Sequence, residues 1–97
     1  MSCDPQAAEL AALLRQMATL LLRHDRIDWA GKLDHCRLII ESADSYGISR
    51  LLELWRGPAS LKEIELDHRV DNERFAALQA RAWGLAERMR RKRRSGQ

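Results

Sequence analysis

Side chains able to act as nucleophiles, proton carriers or metal ligands are sparse in this chain: two cysteines, three histidines and 14 carboxylates among 97 residues. Nucleophilic catalysis requires a Ser or Cys beside a base that a third group orients. No Gly-x-Ser-x-Gly elbow occurs. Cys36 falls on an apolar helical stripe, where cysteine acts as a small hydrophobe, and Cys3 reads as an incidental thiol near the N-terminus. Glu65-x-x-His68 has the spacing of a helical carboxylate–histidine pair, but a bundle di-iron site needs that pair twice, with two further glutamates. His24 with Asp28, and Asp34 with His35, are looser pairings. Zinc needs three or four convergent ligands, and no Cys/His cluster is present. The expectation is therefore a protein without enzymatic activity, metal or cofactor.

Binding chemistry is better represented. Arg56-Gly57-Pro58-Ala59-Ser60 leads into a helical N-terminus, whose free N–H groups can hold an anion. It lacks the glycines and lysine of a phosphate-cradling loop, and a helix stop followed by a helix cap accounts for all five residues. Trp83 lies one position off the apolar seam of the last helix, at the edge of the buried face. Trp and Arg are enriched among interface hot spots, so Trp83 is a candidate partner-binding residue, the competing reading being a half-buried shield for the core.

The C-terminal run Arg88, Arg90, Arg91, Lys92, Arg93 and Arg94 completes the candidate partner-binding set. Such a cluster can neutralise phosphates and release their counterions. No aromatics interleave it and no known reading head precedes it, so a solvated or protein-directed tail is favoured over nucleic acid or an anionic membrane surface.

The charge layout bears on this choice. Net charge is +3, yet six of the 17 basic residues lie within residues 88–94. The remaining 11 face 14 acidic residues, so a mildly acidic body carries a strongly basic end. A body of one sign and an end of the other weakens the case for nucleic acid.

Composition sets the frame for these residues. At 45% hydrophobic and 32% charged, the chain is globular rather than disordered, and 97 residues make one domain. Leucine and alanine dominate while valine occurs once, which favours helix. The longest runs of large aliphatics, Leu20–Leu22 and Leu38–Ile40, fall far short of the roughly 20 residues a bilayer requires. Asp4 and Glu9 stand where a secretion signal carries its basic region. Two cysteines make no disulfide framework, so a reduced, cytoplasmic setting is expected.

Periodicity predicts the elements that position the candidates. Asp4-Pro5 starts a first helix that runs to about His24, with Leu10, Leu14, Met17 and Leu21 inward and Leu13 and Leu20 widening the stripe. His24-Asp25-Arg26 is a turn, with Asp25 or Asp28 capping a second helix that buries Trp29, Leu33, Cys36 and Ile40 and ends near Ala43. A third helix follows a turn at residues 44–47, points Ile48, Leu51, Leu52 and Trp55 inward, and stops at Gly57-Pro58. Ser60-Leu61-Lys62-Glu63 matches a capping box; residues 60–66 read as a short helical turn or a brief extended segment. Asp71 or Asn72 caps the last helix, whose seam is Phe75, Leu78, Ala82, Leu85 and Met89. The prediction is an all-α array or bundle of four helices plus one short turn, with residues 1–89 as the domain and 90–97 as a disordered basic tail.

A second stripe on the last helix is small: Ala76, Ala80 and Gly84. An interior helical glycine costs about 1 kcal/mol relative to alanine, which is easiest to understand where another backbone comes close. Close packing on the first helix, against Ala7, Ala8, Ala11 and Ala12, is the expected use of this stripe, and homodimer formation is the alternative.

The run Tyr46-Gly47-Ile48 through Leu51-Leu52 to Trp55-Arg56-Gly57-Pro58-Ala59-Ser60-Leu61-Lys62-Glu63-Ile64 resembles a stretch found in a family of small bacterial all-helical proteins of unassigned function. Trp29 upstream and Asn72-Glu73 downstream extend the likeness over about residues 27–86. Pro58-Ala59 and Lys62-Glu63 depart from that family's glycine-rich turn and Asn-Asp pair. The resemblance implies a bacterial accessory protein and no activity. Together these features predict a small non-catalytic module, immunity-like or regulatory, that binds another protein. Nucleic-acid binding through the basic run and homodimer formation are its rivals.

Overall fold

The computed structural model describes residues 5–42, 46–56 and 61–95, with the side chains of Tyr46, Lys62 and residues 92–95 outside the description. The fold is an all-α array. Its helices are α1 (Pro5–Arg23), α2 (Ile27–Glu41), α3 (Tyr46–Glu53) and α4 (Arg69–Ser95), with one 3-10 turn at Leu61–Glu63. Helix α1 packs against α2 and α4, and α3 packs against the same two. Leu10, Leu14, Met17, Leu21, Leu33, Leu51, Leu52, Leu61 and Phe75 are the largest fully buried side chains.

The predicted inward faces of α1, α3 and α4 are the buried ones. On α1, Leu10, Leu13, Leu14, Met17, Leu20 and Leu21 are all buried, joined by Ala7, Ala11 and Ala18. Burial spreads this far because α1 has a neighbour on two sides. On α4 the seam Phe75, Leu78, Ala82, Leu85 and Met89 is buried, with Ala86 beside it.

Helix ends differ from the sequence expectation. At the end of α1, the Arg26 N–H reaches Leu21 O at 2.8 Å and the Asp25 N–H reaches Leu22 O at 3.2 Å. Asp25 is left-handed, at φ 60°. This pair of bonds closes a helix C-terminus, with aspartate tolerating the position glycine usually takes. Asp25 thus serves the end of α1 rather than the start of α2. Arg26 stands at the N-cap of α2 without a side-chain cap bond, and Asp28 lies in its first turn.

Helix α4 begins earlier than predicted. The Asn72 N–H donates to His68 O at 2.8 Å, so His68 is the N-cap, and its Nδ1 accepts the Asp71 N–H at 3.2 Å. Asn72 Oδ1 instead accepts the Leu66 N–H at 2.9 Å, tying the incoming chain to the first turn. At its other end α4 continues through Ser95, into the basic run that the sequence sets apart from residue 90. Arginine and lysine are good helix formers, and no glycine or proline intervenes between Gly84 and Gly96.

Gly47 lies inside α3, not in a turn. A Cβ there would stand 2.8 Å from Ile40 Cγ1 and 3.0 Å from Ile40 N, so the absent side chain lets α3 approach α2. Cys3, Asp4, Ala43, residues 44 and 45 of the expected 44–47 turn, the expected Gly57-Pro58 stop and Ser60 of the expected capping box lie outside the described residues.

Candidate interaction groove

Trp55 and Trp83 build the most distinctive surface. Trp55, in the turn after α3, is 4% exposed, and its indole N–H donates to Gln79 Oε1 of α4 at 2.7 Å. A buried indole needs such a partner. Trp83, one helical turn beyond Gln79, meets Trp55 edge to face at a centroid distance of 5.2 Å and an interplanar angle of 80°. Trp83 remains 38% exposed. Trp55, Ala76, Gln79, Ala80 and Trp83 line a shallow groove of about 390 Å³.

Ala76 and Ala80 of the small-residue stripe line this groove rather than the α1–α4 contact. Ala76 and Ala80 are exposed, and a Cβ on Gly84 would meet nothing within 4 Å. Ala8 and Ala12 of α1 are exposed as well. The fully buried small residues of α4 are Ala82 and Ala86, about 120° around the helix from the predicted stripe. Two alanines four residues apart suit either face, so spacing alone does not separate them.

The basic run continues from the groove along α4. Arg88 and Arg91 are exposed, and Arg90 donates to Glu87 Oε1 at 2.8 Å. Lys92, Arg93 and Arg94 lie on the helical backbone. Trp83 and the basic residues therefore share one continuous helix. The sequence reads Trp55 as a core residue and does not single out Gln79; the available signal is that an inward-facing Trp55 must find an acceptor for its N–H.

Another polar region is structural in character. Asp71, 7% exposed, accepts from His24 Nε2 at 2.9 Å and from Arg23 Nη1 at 3.3 Å, joining the end of α1 to the start of α4. The His24 hydrogen bond, reinforced by Arg23 and by the nearby His68, outweighs partial desolvation and lowers the Asp71 carboxyl below its ordinary value. Glu65 does not join His68 here; the Glu65 carbonyl accepts from Arg26 Nη2 at 3.1 Å. No group of three His, Cys, Asp or Glu among the described residues is placed to hold a metal ion.

A wider groove of about 640 Å³ separates α2 and α3, with Lys32, His35, Arg50 and Glu53 on its walls and Cys36 among its lining residues. Cys36 is 2% exposed. Burial raises its thiol pKa, with Arg50 opposing, which is the reverse of what a nucleophile requires. Lys32 instead places its ammonium 4.6 Å from the Trp29 ring centre. Trp29 is half-buried against the core rather than fully inside it.

No protein-family model matches the chain, and neither a curated protein nor a solved structure matches it. No helix among the described residues is long and apolar enough to cross a membrane.

Proposed function

We propose that this chain is a small non-catalytic module that binds another protein through the Trp83 groove, as a regulatory or immunity-like partner in the cytoplasm. One observation carries the reading: a tryptophan that is 38% exposed is held edge-on against a buried, hydrogen-bonded Trp55. An aromatic anchor fixed before binding gives contact area without the entropy cost of ordering a mobile side chain. Ala76 and Ala80 beside it leave room for a partner to approach the helix backbone.

A photo-cross-linking residue at position 80, compared with one at exposed Leu38 on α2, tests this in a native extract with and without nuclease treatment. A discrete protein adduct specific to position 80, and lost when Trp83→Ala is added, supports the reading. Equal labelling at both positions, or adducts that disappear with nuclease, overturns it. An adduct of twice the chain's own mass assigns the groove to homodimer formation instead.

A further inference from the structure

The groove between α2 and α3 is lined by charges of both signs that leave one another unpaired. Asp28, Lys32 and His35 stand on one face of α2, and Arg50 and Glu53 stand across from them on α3. Asp28 with Lys32, and Arg50 with Glu53, are four and three residues apart, the spacings at which opposite charges meet on a helix. The chain uses those spacings elsewhere. Arg37 reaches Asp34 at 2.6 Å and Glu41 at 3.0 Å, Arg69 reaches Glu73 at 3.4 Å, and Arg90 reaches Glu87 at 2.8 Å. On the groove the pairs are not made. Lys32 places its ammonium over the Trp29 ring, and among the described residues the side chains of Asp28, Arg50 and Glu53 form no hydrogen bond or ion pair.

The signs are also ordered along the groove. Helix α3 runs back along α2, since Gly47 abuts Ile40 and Arg50, one turn on, lies close enough to Cys36 to act on its thiol. His35 and Arg50 therefore stand at the end nearer Gly47. Glu53, one turn beyond Arg50, and Asp28, one turn before Lys32, stand toward the other end, where Ile27 and Leu54 add apolar surface. Gly31 lies between the two ends. A glycine inside a helix costs about 1 kcal/mol relative to alanine, yet a Cβ here would meet nothing within 4 Å. The missing side chain thus serves no neighbour and leaves room for a ligand to approach the backbone.

We infer that this groove binds a free-ended peptide of two or three residues, its carboxylate on Arg50 and His35 and its ammonium on Glu53 and Asp28. The site is separate from the Trp83 groove, and either can fail without the other. Length selects the ligand. The seven residues from Asp28 to His35 span about 10 Å of helix, which an extended tripeptide matches and a single amino acid, at about 3.5 Å, does not. The groove, about 640 Å³, falls within the roughly 300–1,000 Å³ of small-ligand sites. A guanidinium takes a carboxylate as a two-pronged hydrogen bond, and with Arg50 and Glu53 unpaired, binding breaks no existing ion pair.

The test is titration of the full chain with a panel of free di- and tripeptides, followed through backbone amide chemical shifts. Saturable shifts on α2 and α3 around the groove are expected, with half-saturation at about 1 mM or below for the best peptide. N-acetylating or C-amidating that peptide should each weaken binding roughly tenfold or more, because a charged group of the site is left unmatched. Arg50→Gln should remove the difference between free and amidated peptide, and Asp28→Asn with Glu53→Gln the difference between free and acetylated peptide. Gly31→Gln fills the groove without altering its charge and should weaken the free peptide roughly tenfold. Circular dichroism checks folding, and Gly31→Gln, at a position open to a side chain, keeps the test decisive if a charge variant unfolds. Absence of saturable shifts on α2 and α3 up to about 10 mM peptide overturns the inference. So does equal binding of the blocked peptides, indifference to Gly31→Gln, or shifts centred on Trp83.

Discussion

Trp83 stands edge-on to Trp55, 5.2 Å away between ring centres, yet the two rings have opposite fates: one is 4% exposed and the other 38%. Trp55 is committed to the core by Gln79, and its commitment holds Trp83 in place. Replacing the two should therefore have very different consequences. Trp83→Ala is expected to cost about 1 kcal/mol, the worth of one aromatic pair with modest burial. Trp55→Ala is expected to cost about 3–5 kcal/mol, as for other large-to-small core changes. Urea denaturation of both variants checks the contrast, and equal losses would place Trp83 in the core.

The three described helical glycines predict opposite signs. A methyl added at Gly84 or Gly31 would meet nothing within 4 Å, whereas one at Gly47 would face Ile40 backbone at 3.0 Å. Gly84→Ala should stabilise by ~0.5–1 kcal/mol through helix propensity and a stiffer unfolded chain. Gly47→Ala should destabilise by roughly 1–3 kcal/mol, as overpacking does. Thermal melts of the two variants decide it, and a destabilised Gly84→Ala would mean that another backbone does approach α4 there.

Asp71 should govern the acid limb of stability. Its carboxyl is lowered by the His24 hydrogen bond first and by Arg23 beside it, so the folded state binds its proton less readily than the unfolded chain. The resulting stability is present above the unfolded carboxylate pKa and is lost as pH falls through the folded value. Asp71→Asn should lower the melting temperature at neutral pH and flatten the decline on acidification. Melts between pH 7 and strongly acidic conditions test this, and an unchanged acid limb would assign it to other carboxylates.

Cys36 should behave as a core residue. It is 2% exposed and burial raises its thiol pKa, so in a Cys3→Ser background alkylation by iodoacetamide should follow unfolding rather than the thiol's own chemistry. Labelling in native buffer should be slow and should accelerate steeply across the denaturation midpoint. Rapid labelling of the native protein would show that the α2–α3 groove opens to Cys36.

Much of this protein is legible in its sequence because much of it is local. The helical class follows from leucine and alanine with one valine, and the buried faces of α1 and α4 follow from apolar residues recurring every three or four positions. Burial at Leu10, Leu14, Met17 and Leu21, or at Phe75, Leu78, Ala82 and Leu85, depends on helix geometry and little else. The partially exposed Trp83 at the edge of that face is legible for the same reason.

Choices among chemically equivalent residues fall to the tertiary structure. Asp25, Asp28, Asp71 and Asn72 all suit a helix N-terminus, yet α2 begins without a side-chain cap and α4 is capped by His68. Which residue caps depends on the angle at which the chain arrives. Alanine pairs at 76/80 and 82/86 suit either face, and the placement of α4 against α1 and α3 buries the second pair and exposes the first. Gly47 has the look of a turn residue until α2 is set beside it. The groove itself joins Trp55 to Gln79 and Trp83 across more than 20 positions of chain. Helical periodicity carries information over a few turns along one axis, and only the packing of α3 across α4 brings those side chains together.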